Sequence, residues 1–404
     1  MRMSKKKELV PKFRFPKYVN SEQWISTELS SLLDYERPDL YIVESDNYKN
    51  EGIPVLTANK SFILGYTDEK NNIYSRVPVI IFDDFTTEKK YVDFPFKVKS
   101  SAIKILKPKG NNVLKFVFEL MNTINFEAKE HKRYYISTYQ KLFVYVPKDV
   151  KEQQNIADCL SSTDDLIDAE SRKLKVLEKY KKGLMQKLFP AEGKTLPEWR
   201  FPEFQDCEEW ETVKLEKLAL YRRGSFPQPY GLPEWYDEKS GMPFIQVFDV
   251  DDNMKLKSNT KNKISELAAQ QSVFIPKGTL IITIQGSIGR VAITQYDAYI
   301  DRTLLLFEKF FRKIDKTFLA YNLQLLFDIE KQKAPGGIIK TITKQALSEF
   351  LTSIPRIEEQ EKIAGCLSEV DTMITEQSNK VEQLKAHKKG LMQGLFPSLE
   401  EADV

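Results

Sequence analysis

Apolar residues recur at alternating steps of four and three along two stretches of the chain, and the rest is arranged around them. In residues 153–190 the stripe runs Ile156, Leu160, Thr163, Ile167, Glu170, Leu174, Leu177, Lys181, Leu184, Leu188. In residues 360–397 it runs Ile363, Leu367, Val370, Ile374, Gln377, Val381, Leu384, Lys388, Leu391, Leu395. A sustained 3.5-residue period with charges elsewhere predicts a coiled-coil seam. Neither stretch has an internal proline, and Pro190 and Pro397 stop both. Each predicted helix is about 36 residues and about 54 Å long. One stripe alone would leave Leu and Ile in water, so the economical partner of each helix is the other. The expected arrangement is an antiparallel pair.

The two stretches are copies. They align at a constant offset of 207, with 20 of 38 positions identical, and KKGLMQxLFP is nearly unchanged from Lys181 to Pro190 and from Lys388 to Pro397. Chance does not produce this, so the chain is an internal duplication. Two seam interruptions fall at matching steps, Glu170 with Gln377 and Lys181 with Lys388. The repeat also reaches upstream. Pro11, Arg14, Phe15, Pro16, Trp24 and Leu29 match Pro197, Arg200, Phe201, Pro202, Trp210 and Leu215 at an offset of 186. Gly52-Ile53-Pro54-Val55-Leu56 resembles Gly241-Met242-Pro243-Phe244-Ile245. Each copy is therefore one globular region followed by one long helix. The helices agree in detail while the globular regions share scattered anchors, as expected of a frame that presents two different recognition surfaces.

The predicted class is α+β. Two mixed α/β globular domains are separated by two long antiparallel coiled-coil helices with pseudo-twofold internal symmetry. The boundaries read 1–150 for the first domain, 151–190 for the first helix and 191–352 for the second domain, with 191–202 a linker. The second helix is 353–397 and the tail 398–404. In the first domain Val77–Phe82 and Ala102–Leu106 read as strands around the polar stretch Asp83–Lys90, Val113–Leu120 as a short helix and Lys141–Val146 as a strand. In the second, Thr279–Ile284 and Arg290–Thr294 read as a hairpin with its turn at Gln285–Gly289, Phe318–Phe327 as a helix, and Gly336-Gly337 as a break before Ile338–Thr343.

Length and composition narrow the class. At 404 residues, two or more domains are expected. No apolar run approaches 18 residues, which argues against a membrane span, and the basic MRMSKKKELVPKF lacks the apolar core of a secretory signal. The three cysteines, Cys159, Cys207 and Cys366, read as free thiols in a reducing cytoplasm. A net charge of +3 permits nucleic-acid binding without arguing for it.

Catalytic chemistry is scarce. The two histidines, His131 and His387, exclude a His-rich metal site, and His387 stands where the first copy has Tyr180. Gly193-Lys194-Thr195 resembles the end of a phosphate loop, but Leu188 stands where the leading Gly belongs. No Asn-Pro-Pro-aromatic segment is present, as an adenine-N6 methyltransferase requires. Pro38-Asp39 with Glu88-x-Lys90 is the best nuclease-like set, and its pieces are common and far apart. No catalytic residue, metal site or cofactor is expected on this chain.

DNA contacts are expected on the loops. In the second domain the candidates are Gln285, Ser287 and Arg290 around a Gly-bearing turn, then Arg302 and Thr303, then Lys340, Thr341 and Lys344. Gln pairs bidentately with adenine and Arg with guanine. In the first domain they are Thr57, Asn59 and Lys60, then Thr86, Thr87, Lys89 and Lys90, then Lys97, Lys99, Ser100 and Ser101, and finally Lys132 and Arg133. Lys and Ser would mostly hold phosphates and set register. On the helices, Lys181-Lys182-Gly183 and Lys388-Lys389-Gly390 exceed what a seam needs. Gly inside a helix costs about 1 kcal/mol, so its recurrence suggests close approach of another backbone, from the globular base or a second protein.

With these residues in view, the chain resembles the specificity subunits of type I restriction–modification enzymes. The resemblance rests on the two copies of the I-A-x-C-L-S…K-K-G-L-M-Q-x-L-F-P helix, Pro147 and Pro355 upstream of them, the RFP openings, the G-x-P anchors, and Gln285–Gly289 followed by Arg290-Val291-Ala292-Ile293. It covers essentially the whole chain. It implies two target recognition domains, each reading half of a bipartite asymmetric DNA site. It implies helices that set the spacing and dock two modification subunits carrying S-adenosylmethionine-dependent adenine methylation. Restriction subunits with ATP and Mg²⁺ complete the enzyme, and this chain is non-catalytic by itself. Two alternatives are a coiled-coil adaptor that binds only proteins and a stand-alone nuclease.

Overall fold

The computed structural model describes residues 10–59, 61–333 and 342–397. They fall into two compact units: Met1–Ser171 with Asn379–Val404, and Arg172–Ser378. Each unit is a mixed α/β head joined to segments of both long helices. The helices run Val150–Leu188 and Ile357–Leu395, 39 residues each. The first starts where the Asp149 carboxylate accepts the Lys151 amide at 2.8 Å, an N-cap. The second starts at Ile357, later than the expected 353. Leu351–Ile354 is drawn out to pair antiparallel with Glu211–Lys214, and Pro355 follows.

The two heads share one topology. In the first unit a four-stranded antiparallel sheet has the order Leu33–Glu36, Ile103–Pro108, Val79–Asp83, Lys89–Val92. In the second the order is Ala219–Arg223, Leu304–Phe310, Leu280–Thr283, Val291–Ile293. The central strands Val79–Asp83 and Leu280–Thr283 are buried throughout, which is why both are unbroken apolar runs rather than alternating ones. Beside this sheet lies a smaller one built on a parallel pair: Ile53–Leu56 with Lys97–Val98, and Met242–Ile245 with Ala298–Ile300. The second head extends it with the strand Val273–Ile275, where the first has only the bridge between Tyr74 and Phe96. A helix closes each head, Leu114–Thr123 or Lys316–Lys333. The expected hairpin forms, with Leu280 opposite Ile293.

Head and helices share one core in each unit. In the first, Ile156, Leu160, Leu395 and Phe396 pack with Trp24 and Phe116. In the second, Leu188, Phe189, Ile363 and Leu367 pack with Trp210 and Phe318. The aromatic trios match: Trp24–Phe116 at 5.9 Å with Phe396, and Trp210–Phe318 at 5.8 Å with Phe189.

Above each trio sits a buried ion pair. Arg14 donates from Nε and Nη2 to Glu152 at 2.8 and 2.9 Å, and the Trp24 indole donates to the same carboxylate at 3.3 Å. Arg200 does the same to Glu359 at 2.8 and 2.7 Å, with Trp210 at 3.3 Å. The spare guanidinium hydrogens go to backbone carbonyls of Ser21 and Glu22, or of Cys207 and Glu208. The next helix residue reaches the other way. The Gln153 carbonyl accepts the Val113 amide at 3.0 Å, and that of Gln360 accepts the Asp315 amide at 3.0 Å. Each head is thus tied to the first turn of its long helix from two sides.

Every seam position is buried or half-buried: Ile156, Leu160, Ile167, Leu174, Leu177, Leu184 and Leu188 in one helix, and Ile363, Leu367, Val370, Ile374, Val381, Leu384, Leu391 and Leu395 in the other. The seam lysines have partners. In the first unit Lys388 meets Asp164 at 2.6 Å, beside the buried Glu119, and Lys380 pairs with Glu170. From one pair to the other, one helix advances eight residues while its neighbour retreats six, so the two segments run antiparallel. In the second unit Lys181 meets Asp371 at 2.6 Å, and the Tyr321 hydroxyl donates to the same carboxylate at 2.6 Å. Gly183 and Gly390 do not fit the expectation of close approach by the head. Among the described residues nothing lies within 4 Å of where a Cβ would stand on either.

Removing one partner of a buried, hydrogen-bonded ion pair strands the other charge, at about 3–5 kcal/mol. Glu359→Ala is therefore expected to lower the unfolding free energy of the second unit by about that much, read by urea denaturation followed through the tryptophans. A loss below about 1 kcal/mol would mean that the pair behaves like a surface contact.

Candidate nucleic-acid interface

In each head three loops leave the same edges of the paired sheets. In the second head they follow Met242–Ile245, join Leu280–Thr283 to Val291–Ile293, and follow Ala298–Ile300. The middle turn is tightly built. Thr283 Oγ1 donates to the Ser287 carbonyl at 2.6 Å and accepts the Arg290 amide at 2.9 Å. Gly289 has a φ of +82°, and a Cβ there would stand 2.7 Å from the Phe327 ring, so only Gly fits. Gln285 and Ser287 are left exposed at the tip.

The flanking loops are tied to that turn and to each other. The Ile284 amide donates to the Thr303 carbonyl at 2.9 Å, and the Asp301 amide to Ile245 at 3.0 Å. Asp301 is buried, accepts the Thr303 hydroxyl at 2.5 Å and accepts the Tyr230 hydroxyl. Burial, then this hydrogen bond, holds Tyr230 above its ordinary range, so it remains a donor. Asp249 is buried, accepts the Gln246 and Lys261 amides, and shapes the first loop. Val247 and Phe248 then form a ridge between two open hollows. One, of about 410 Å³, is lined by Gln285, Arg302 and Tyr230. The other, of about 680 Å³, is lined by Ser287, Arg290 and Asp252. Phe248 is partly exposed on that ridge, and the Lys261 ammonium stands 5.0 Å from its ring.

The first head repeats the plan with other side chains. Its loops follow Ile53–Leu56, join Val79–Asp83 to Lys89–Val92, and follow Lys97–Val98. Asp83 Oδ1 accepts the Phe85 and Thr86 amides at 2.9 Å, and the Asp84 amide donates to Ala102. Thr86 Oγ1 reaches Asn59 at 3.3 Å, joining the first loop to the turn. Phe85 stacks on His131 with centroids 4.7 Å apart, and Arg133 stands 5.7 Å over the same ring.

The expected contact residues therefore separate. Asn59, Thr86, Gln285, Ser287, Arg290, Arg302 and Thr303 gather on these loops, and Arg133 reaches the Phe85 turn from the segment after Leu114–Thr123. Thr57 and Thr87 are there but buried, Thr87 with a φ of +60°. Lys90 and Lys89 are half-buried, and burial holds Lys89 below its ordinary range beside the Tyr139 ring. Lys97 belongs to the core, a departure from the exposed loop position expected of it. It is 1% exposed and bonded to Glu69 at 2.5 Å and to the Asn71 carbonyl at 3.1 Å. Its place on a parallel edge strand turns the side chain inward. Lys99 is paired with Asp46, Ser100 accepts the Ala102 amide, Ser101 lends its carbonyl to Arg133, and Lys132 pairs with Glu130. Lys344 is exposed, starting a short helix two residues beyond Ile342, whose amide meets the Ile284 carbonyl at 3.5 Å. Lys60, Lys340, Thr341 and the Gly336-Gly337 break lie outside the described residues. Sequence reasoning missed Phe248, Tyr230 and Phe85. Phe248 follows the second G-x-P anchor as Asn59 follows the first, so the repeat alone placed it on a contact loop.

Among the described residues no group of three or more His, Cys, Asp or Glu is arranged to hold a metal ion, and no helix is long and apolar enough to cross a membrane. Cys159, Cys207 and Cys366 are free.

Comparison with known proteins points the same way. The family of type I restriction modification DNA specificity domains matches residues 207–386. The specificity subunit of the Escherichia coli enzyme EcoR124I/EcoR124II is 29% identical over 371 residues, covering 87% of each chain. A putative MjaX specificity subunit of Methanocaldococcus jannaschii is 29% identical over 252 residues, 60% of this chain and 56% of that one. In fold, the chain is similar to the S subunit of a type I restriction–modification system from M. genitalium, with a TM-score of 0.64 at 16% identity over 96% of this chain and 99% of that one.

If Gln285 reads a base edge, Gln285→Ala is expected to weaken binding by roughly 1–3 kcal/mol and to relax one position of the recognised sequence. Duplex binding by the assembled complex, across all four bases at each position, checks this. An unchanged motif with unchanged affinity would remove Gln285 from the interface.

Proposed function

We infer that this chain, which belongs to the DNA specificity subunits of type I restriction–modification enzymes, reads a bipartite asymmetric sequence with one head per half-site. DNA-sequence recognition is the function of the chain. The division of labour between heads rests on one observation: two heads whose four-stranded sheets share one strand order end in three equivalent loops whose side chains differ throughout. Loops built alike but lined differently suit two unlike half-sites.

The long helices act as spacer and dock in this reading. Each unit joins segments of both helices, and in the first unit those segments run antiparallel. Positions 1–150 and 191–352 are then target recognition domains, with 191–202 a linker, 151–190 and 353–397 the spacer helices, and 398–404 a tail. The exposed Lys182, Lys389 and Gly390, with the half-buried Gly183, suit docking of two modification subunits. Those subunits would carry S-adenosylmethionine and the methylation chemistry, restriction subunits would bring ATP and Mg²⁺, and the chain itself would be non-catalytic in the cytoplasm.

Two tests follow from the modular plan. Replacing residues 203–350 with those of a relative is expected to change one half-site only, read by methylome sequencing of cells that also carry the modification subunit. Alteration of both halves contradicts independent reading. The second test uses interchangeability of the helices. Asp164 and Lys181 both lie on the first helix, and Asp371 and Lys388 are their repeat equivalents. A fragment of residues 1–200 can therefore supply both halves of each Lys–Asp pair to a second copy of itself. Its exposed stripe is worth about 1.5–3 kcal/mol per buried Leu or Ile before entropy. A twofold homodimer is expected, directing methylation to a palindromic interrupted site. Light scattering that shows a soluble monomer at micromolar concentration contradicts the paired-helix plan.

A further inference from the structure

The second head holds two arginines beside the turn Gln285–Arg290, and they are in opposite states. The Arg290 fork is occupied. Nε meets Asp252 at 2.8 Å, Nη2 meets the same carboxylate at 3.2 Å, and Nη1 donates to the Val250 carbonyl at 2.9 Å. Arg302 makes no hydrogen bond or ion pair within the described residues. It is exposed, and its guanidinium lies 4.9 Å from the centroid of the Tyr230 ring. Tyr230 is itself fixed by its hydrogen bond to the buried Asp301. The guanidinium is thus placed over an anchored ring while its donors remain free.

The hollow beside it narrows the role. Of its polar side chains, Gln246 has its carbonyl engaged by Asn262 at 2.7 Å and Thr303 has its hydroxyl engaged by Asp301. The groups left free are the Arg302 fork, the Gln285 amide and the Gln246 amide hydrogens, and of these only Arg302 is a charged, donor-only fork. A donor-only planar fork matches the two acceptors, O6 and N7, on the major-groove edge of guanine. A phosphate contact needs only a cation and is served by flexible Lys, whereas stacking on an anchored ring fixes direction and cuts the entropy lost on binding.

We propose that Arg302, stacked on Tyr230, reads a guanine in the half-site of the second head, and that Arg290 is a positioning residue that holds the 250–252 loop. This rests on the reading that the head loops contact DNA bases. Arg290 keeps the second hollow in shape through Val250 and Asp252 and contacts no base.

The test uses the complete complex with its modification subunit on duplexes carrying its methylated site. Arg302→Lys and Arg302→Gln are each expected to lower discrimination at one G·C position about tenfold or more, with the other positions kept. Replacing that guanine with 7-deazaguanine, which lacks the N7 acceptor, is expected to weaken wild-type binding and to leave Arg302→Gln unaffected. Arg290→Lys is expected to keep the motif. Co-purification of the modification subunit checks that each variant is folded. A motif kept by both Arg302 variants and lost in Arg290→Lys overturns the assignment. So does an Arg302→Lys variant that keeps the motif while Arg302→Gln only reduces the salt dependence, because that is a phosphate contact. Exchange of the whole turn 285–290 separates the two levels. If it changes the motif and the Arg302 variants do not, the Arg302 assignment alone fails. If it leaves the motif intact, the base-reading role of these loops fails with it.

Discussion

The structure depends on one interaction made twice: a buried arginine fork closed on a glutamate in the first turn of a long helix. Arg14 with Glu152 and Arg200 with Glu359 each receive a tryptophan indole and share their remaining donors with two backbone carbonyls. A buried ion pair adds little net stability over apolar packing, yet it is costly to break and tolerates few geometries. That is what a reading head on a long lever requires. A small rotation at the junction would be multiplied along the helix, and a bidentate pair fixes the angle where a greasy contact would let it slide.

The lysines that interrupt the seam serve the same end. Each sits where the stripe calls for an apolar residue, and each meets the aspartate of the neighbouring helix at 2.6 Å. A polar residue at a seam position specifies register at some cost in stability. Since Lys181 and Lys388 are repeat equivalents, as are Asp164 and Asp371, the duplication supplies both halves of both keys. In the heads, the third group differs: Tyr321 donates to Asp371, while Glu119 and Lys115 crowd Asp164. The frame is conserved between the repeats, and the variation is confined to what the frame carries.

This split governs what could be read from sequence. The helices were legible because a 3.5-residue period and a 207-residue repeat are both long-range signals, and Pro190 and Pro397 marked their ends. The hairpin Leu280–Ile293 was legible from two apolar runs around a Gly-bearing turn. The locks were half visible. Arg14, Trp24 and their equivalents stood out as anchors, but Glu152 and Glu359 looked like ordinary first-turn acids, since nothing local says that an arginine 138 or 159 residues away needs them. The loops were the least legible. Lys97 has the composition of a phosphate contact, and only the parallel pairing with Ile53–Leu56 reveals that it points into the core. Arg290 and Arg302 are equivalent in sequence terms. They differ because Asp252 fills one fork and Tyr230 supports the other without filling it.

The central claim is that the helices measure the distance between two independently read half-sites. Inserting one heptad into each helix at matching positions, after Ser171 and after Ser378, keeps the seam in phase and lengthens the spacer by about 10.5 Å. At about 3.4 Å per base pair, methylome sequencing of the complex is predicted to show the same two half-sites moved apart by about three base pairs. An unchanged spacing, or altered half-sites at the original spacing, would contradict the account.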